Sequence, residues 1–370
     1  MQRTSPDHAA TGGLDGAMSL YLDLVRLVAA MTVFIGHVSG HRFTGGLLWQ
    51  VGPYMSQAVA VFFVLSGFVI AYATDSRETS ASAYVVSRAA RIYSVALPAL
   101  VITFVLDAIG RSIQPDLYSP VWGYHAAGRG WQFAANLLFV NQLWFLDVPP
   151  GSDLPYWSLG YEVWYYVLFG IFIFARRRWM MIPTVLVFVG PKIAAMFPLW
   201  LIGVFCYHRC RQRRRIGLGL GLLLWASSLA AWTAYEVLAR YYGRLPGLAS
   251  SRWLLPELTE DYLVGSLFAA NLLGFHAASR IFGPVLRLVA RPIRWAAGGT
   301  FTLYLVHLPI AQFLAALAPW APDTLRTRVW ILGGTLAAVF LAAEGTERRK
   351  RIWRRVFVAV LRAPLRTAAR

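Results

Sequence analysis

The sequence predicts an all-α fold, a polytopic helical membrane protein of about ten transmembrane helices plus one re-entrant segment. Three observations carry this. Hydrophobic residues make up 58% of the 370-residue chain and charged residues only 14%, where a soluble domain carries roughly 25% charged residues. The apolar residues are also gathered into blocks: 216–237 holds no charge before Glu236, and 262–279, 301–317 and 329–343 hold none. Each approaches the ~20 apolar residues that cross a bilayer. Finally, the net charge of +18 sits in arginine clusters between those blocks. That is the positive-inside pattern of a membrane protein rather than the footprint of a nucleic-acid binder.

Residues 1–18 read as a disordered arm, 19–346 as one transmembrane domain and 347–370 as a basic cytoplasmic tail. The polar start, and Asp23 and Arg26 inside the first apolar block, argue against a cleaved signal. Apolar segments follow at about 20–38, 54–74, 93–109, 133–147, 156–175, 179–190, 196–208, 216–237, 262–279, 296–318 and 329–344. Cytoplasmic loops are marked by Arg77, Arg88 and Arg91, by Arg176 to Arg178, by Arg209 to Arg215, by Arg280 to Arg294 and by the tail from Arg348. Two such clusters need an even number of crossings between them, yet three blocks separate Arg91 from Arg176. The block 133–147 is the shortest of the three and holds Asn136, Asn141 and Gln142, so it is the one expected to enter without crossing. Ten spans then remain, with both termini inside; 179–190 and 196–208 are the shortest of them. Fifteen Trp and seventeen Tyr suit the membrane interface, and two Cys give no disulfide framework.

Ionisable residues inside apolar blocks are costly and are candidates for function. Arg26 and His37 stand eleven residues apart in the first block, which places them on one helix face about 16 Å apart. Snorkelling by Arg26 and end-capping by His37 would account for the same spacing. Glu162, near the outer start of its block, is expected at the depth of His37, where a carboxylate would hold the imidazole's tautomer. It could equally pair with an arginine. His307 falls near mid-membrane with Pro309 close behind, a position open to a plain helix-to-helix hydrogen bond. Arg88 and Arg91 share a face at i, i+3, a fork suited to phosphate or to simple anchoring. Cys206, His208 and Cys210 precede an arginine run that would repel a cation, so no metal is expected.

Taken together the motifs resemble the acyltransferase-3 family of bacterial membrane O-acyltransferases, in its stand-alone form without a C-terminal esterase-like domain. Arg26 followed by ten residues and His37, AVAVFFVLSGFVIAYA at 58–73, SRAARIY at 87–93, YWSLGYEVWYY at 156–166 and GTFTLYLVHLP at 299–309 follow the family's landmarks in order. Ser94 stands where the family has Pro, Gly160 where the second Ser of WSLS is expected, and Thr300 and Thr302 replace small or serine residues. The resemblance implies transfer of an acyl group, acetyl above all, from acyl-CoA to a hydroxyl of a glycan, glycolipid or other envelope acceptor, in the bacterial inner membrane. It implies Arg88, Arg91 and Arg26 on the donor, and His37 as general base or transient acyl carrier, with Glu162 and Arg26 as its catalytic partners. Trp157, Tyr161, Tyr165, Tyr304 and His307 are then expected around the acceptor. A transporter or flippase of an envelope precursor would also have ten spans and buried charges; it leaves the arginine pair and the membrane histidine unexplained.

Overall fold

A computed structural model of the chain describes residues 15–212, 216–245 and 257–367. The described residues form helices and no strand. α1 (Gly16–Val38) starts where the Asp15 side chain accepts a hydrogen bond from Ala17 N, so the predicted arm shortens by three residues at that side. The rest of the arm lies outside the described residues. A single turn, α2 (His41–Thr44), and a 3₁₀ stretch lead into α3 (Met55–Arg77), followed by α4 (Ala81–Ile113). Then come α5 (Arg129–Leu137), α6 (Trp157–Phe174), α7 (Arg178–Val189), α8 (Pro191–Arg211), α9 (Leu218–Tyr242) and α10 (Leu258–Leu288). α11 (Ala290–Ala297), α12 (Thr300–Leu317), α13 (Leu325–Gly345) and α14 (Lys350–Thr367) complete the bundle.

Among the described residues nine helical segments are long and apolar enough to cross a membrane, and α7 is a tenth, shorter apolar helix. At twelve residues α7 is only about 18 Å long, and Gly190, at φ +85°, turns the chain straight into α8. The pair 179–190 and 196–208, expected as two short spans, is thus one short helix and one of full length. α12 is the most enclosed span, packed by α1, α4 and α13.

The block 133–147 does not span. Along α4 the positions Asp107, Phe104 and Tyr93 mark increasing depth from one end of the bundle. Arg129 at the start of α5 donates to Phe104 O. Leu137 at its end accepts from the Tyr93 hydroxyl, about 16 Å further in. The chain then returns, and Ser152 donates from both N and Oγ to Asp107. A segment that dips and comes back exposes backbone groups that a helix would satisfy. Asn136 of the block and Lys192 of α8 supply partners: Asn136 donates to Gln132 O and Val148 O, and Lys192 donates to Leu146 O and Gln142 Oε1. This is the condition under which irregular backbone survives at membrane depth.

Two glycines let α3 and α8 touch. A Cβ at Gly67 would sit 2.0 Å from Trp200 O, and one at Gly203 would sit 1.9 Å from Val64 O. Small residues that admit a neighbouring backbone are the usual means of helix association in lipid. The glycine of FFVLSGF therefore has a packing reason, and it brings Trp200 to Ser66: the indole N–H donates to Ser66 Oγ at 3.2 Å.

Candidate active site

α1, α3, α4, α6 and α12 enclose a narrow cavity of about 70 Å³ into which Arg26, Arg91, Glu162 and Glu347 all face. Two guanidiniums are matched by two carboxylates, as buried charge requires. Each carboxylate is also held by neutral donors. Glu162 accepts from the Ser66 hydroxyl at 2.7 Å and from the Tyr166 hydroxyl. Glu347 accepts from Phe301 N at 3.0 Å and Thr302 N at 3.2 Å; these are first-turn amides of α12, where the helix dipole favours an anion. Tyr304 lines the same cavity and its hydroxyl lies 2.9 Å from Ser158 Oγ.

Beyond Tyr304, one turn further along α12, is a pair of histidines. His37 Nδ1 lies 3.0 Å from Val33 O and 3.1 Å from His307 Nε2, while His307 Nδ1 lies 2.8 Å from Leu303 O. These contacts fix the tautomers. A carbonyl oxygen only accepts, so both Nδ1 atoms must carry the hydrogen. His37 Nδ1–H is then shared between Val33 O and His307 Nε2, which accepts. What is left is His37 Nε2, a lone pair with no protein partner among the described residues. The edge of Phe34 packs against His307 at 5.9 Å between ring centroids and closes the pair on its other side.

Several sequence-predicted site residues occupy other places. Glu162 is not paired with His37. Ser158, one turn before Glu162 on α6, meets Tyr304, and α6 runs antiparallel to α12; Glu162 and His307 therefore diverge from that contact in opposite directions, by about 6 Å and 4.5 Å along the two axes. Glu162 belongs with Arg26 and Arg91. The arginine pair is also split. Arg91 faces the central cavity, whereas Arg88 lines a separate groove between α4 and α6 and is ion-paired with Glu78. Residues three apart on a helix differ by about 60° in direction, enough at this crossing for neighbouring helices to part them. Tyr165 lies in the core against Phe63, Phe197 and Trp200, and Tyr161 is buried against Phe63 and Trp157; neither lines the central cavity. Trp157 does, in a second cavity that shares Val59 with the central one. Ser66, Tyr166 and Glu347 were missed by sequence reasoning. Ser66 sits inside the FFVLSGF landmark, where the surrounding apolar run gives its hydroxyl no separate signal, and Glu347 is a lone acid at the head of a basic tail.

Residues 19–343 match the acyltransferase-3 family, described as an acyltransferase domain. The chain belongs to the acyltransferase-3 family. Among curated proteins it is similar to the acyltransferase MdmB of Streptomyces mycarofaciens, 28% identical over 189 residues. That match covers 47% of this chain and 46% of the relative, so it spans about half the relative's length. No solved structure matches it. The acyltransferase-3 match takes in both histidines, the cavity arginines and Glu162; Glu347 lies just beyond its end.

Proposed function

We propose that this membrane protein transfers an acyl group, acetyl above all, from acyl-CoA to a hydroxyl of an envelope glycan, glycolipid or related acceptor. The observation that carries this reading is His37 Nε2, a base whose tautomer is set by Val33 and whose partner His307 stands one turn beyond Tyr304, a residue of the charged cavity that Arg91 also lines. The donor's phosphates would stay at the mouth lined by basic residues, where guanidiniums suit them. The pantetheine arm would run past Arg26 and Tyr304 toward the histidines.

His37 Nε2 takes the proton of the acceptor hydroxyl as its oxygen attacks the thioester carbonyl. The new C–O bond forms, the C–S bond breaks, and CoA leaves as thiolate, which takes up the proton. His307 Nε2 keeps its bond to His37 Nδ1–H and steadies the imidazolium formed between the two steps, the part a carboxylate plays in hydrolytic triads. The protein would sit in the bacterial cytoplasmic membrane with both termini inside, because the arginine clusters gather at the end where α1 starts. A transporter would need no such base. Acceptor acylation by purified protein with radiolabelled acetyl-CoA tests the reading; binding of acetyl-CoA with neither transfer nor hydrolysis, across a panel of glycans and glycolipids, would overturn it.

A further inference from the structure

The second cavity, of about 350 Å³, opens between the re-entrant segment and the starts of α3, α8 and α10. Its lining is acidic in a chain that is strongly basic: Asp147, Glu257 and Asp261 face it, against Lys192 as the one cation among the described lining residues. The lysine is already engaged, donating to Leu146 O at 2.7 Å and to Gln142 Oε1 at 3.3 Å. Asp147 and Glu257 stand at the exposed rim. Asp261 does not; it is only 4% exposed, and its carboxylate has no hydrogen-bond or ion-pair partner among the described residues. Its neighbour Glu260 shows what a satisfied acid looks like here: it accepts from Gln57 at 2.6 Å and is ion-paired with Arg244. A buried carboxylate without a partner, turned into a cavity, either keeps its proton or is matched by a positive charge brought in with a ligand. Trp157 forms part of the wall and offers an indole for a ring or a cation to lie against.

Position ties this cavity to the reaction. Val59 lines both cavities, and Trp157 precedes Ser158, which holds Tyr304 one turn from the histidines. Ser56, also in the lining, follows Met55, whose side chain packs where a Cβ on Gly36 would be, next to His37. We infer that this cavity receives the acceptor, and that the acceptor carries a protonated amine close to the hydroxyl to be acylated, with Asp261 as its counter-charge. Naming the ligand an acceptor rests on the transferase reading; the cavity's preference for a cation does not.

The test therefore reads charge first and chemistry second. Ser56→Cys is placed in a Cys206→Ser, Cys210→Ser background, and its labelling rates are measured with a trimethylammonium-ethyl and a sulfonato-ethyl methanethiosulfonate at pH 8.5 and low salt. Taking the ratio at one thiol cancels that thiol's own reactivity. Relative to the ratio for free 2-mercaptoethanol, the cationic reagent should be favoured about tenfold, since acidic clefts concentrate counter-ions by 10–10³. The preference should fall with added salt and drop several-fold in Asp261→Asn, checked for folding by size exclusion. In a parallel series at pH 7, where its amine carries a proton, glucosamine should slow labelling and N-acetylglucosamine should not. A ratio equal to that of the free thiol overturns the inference, as does one unmoved by salt or by Asp261→Asn in folded protein. Should Asp261→Asn fail to fold, the salt series and the two sugars still decide, because equal protection by both sugars means a neutral polyol site. A cation-selective cavity in a protein that transfers nothing would refute the transferase reading and leave the charge assignment standing.

Discussion

Replacing the two histidines should have unequal consequences. His37→Ala removes the base and should lower transfer by about 10²–10⁴-fold, with the amount of folded protein unchanged; activity within a few-fold of wild type would remove His37 from the mechanism. His307→Ala removes one hydrogen bond to a group that remains, a loss of ~0.5–1.5 kcal/mol, or roughly 2–10-fold in rate. Val33 O still holds the hydrogen on His37 Nδ1, so the ring-nitrogen NMR pattern of selectively labelled histidine should show the same His37 tautomer. The two arginines separate in the same manner. Arg91→Ala should weaken acetyl-CoA binding, on the order of 1.5–3 kcal/mol for a charged hydrogen bond. Arg88→Ala should act on stability, because it strands the Glu78 carboxylate, and Arg88→Ala with Glu78→Ala should recover much of the loss. Asp153, in the loop before α6, has both carboxylate oxygens buried without a partner among the described residues. Burial, and then nearby Asp107, push its pKa well above 3.8. A raised carboxyl pKa means that the folded state holds the proton more tightly, so its contribution is full at acid pH and is lost as pH rises from 3.8 toward the folded value. Asp153→Asn should accordingly melt higher than wild type at pH 7.5, with the gain fading toward pH 4. A lower melting point at pH 7.5 would mean that a charged Asp153 is stabilised.

At the scale of helices, what the sequence reveals is the existence of each apolar block and, through the arginine count, the one block that does not cross. Asn136, Asn141 and Gln142 were legible because lipid tolerates such side chains only where a segment is re-entrant or lines a cavity, and Asn136 also serves the backbone there. Sharing of a face was less legible. The i, i+3 rule brings Arg88 and Arg91 onto one side of α4, but it is the neighbouring helices that decide which cavity each one enters. The same limit hid the partner of His37: spacing relates residues on one helix, whereas His307 lies 270 residues away. Gly160, which departs from the family's WSLS, has a local cause, since a Cβ there would lie 2.6 Å from Asn141 Oδ1 of the re-entrant segment. The α3–α8 contact gives the sharpest test of packing. Gly67→Ala drives a methyl against the Trp200 carbonyl, which is fixed in its own helix, and should cost about 1–3 kcal/mol or more. Gly219→Ala on α9, where nothing lies within 4 Å, should instead be neutral or stabilise by up to ~1 kcal/mol through helix propensity. A thermal shift series in one detergent compares them; equal midpoints for the two variants would remove the close approach of α3 and α8.

Across the whole molecule, the chain order of the helices makes a claim about sidedness. α1 runs from Asp15 to His37, α3 returns to Arg77, and α4 rises to Ile113. The dip of α5 begins and ends at the α4 end marked by Phe104 and Asp107, so α6 starts there and finishes beside Arg176 to Arg178. α7 must then cross despite its length, because Val189 O accepts from Trp144 N in the re-entrant segment at 3.0 Å. α8 to α13 alternate after it, and α14 returns to lie along α4, with Phe357 against Tyr93 at 5.6 Å. Ten traverses put the start of α1 and the end of α13 on one side. Cysteines at the exposed positions Ser76, Arg177, Gly128 and Asp323, each alone in a Cys206→Ser, Cys210→Ser background, can be probed with a membrane-impermeant maleimide. On intact cells Gly128→Cys and Asp323→Cys should label, while Ser76→Cys and Arg177→Cys should label only after lysis. The informative comparison is Arg177 against Asp323. They are separated by α7, α8, α9, α10 and α12, five crossings if α7 spans and four if it does not. Opposite labelling makes α7 a true crossing, and an 18 Å helix then requires the bilayer to thin beside the re-entrant segment. Labelling of both from the same side would mean that α7 lies along the surface and that α8 to α13 run in the opposite sense; His37 and Arg91 would keep their opposite ends, because α1, α3 and α4 precede α7.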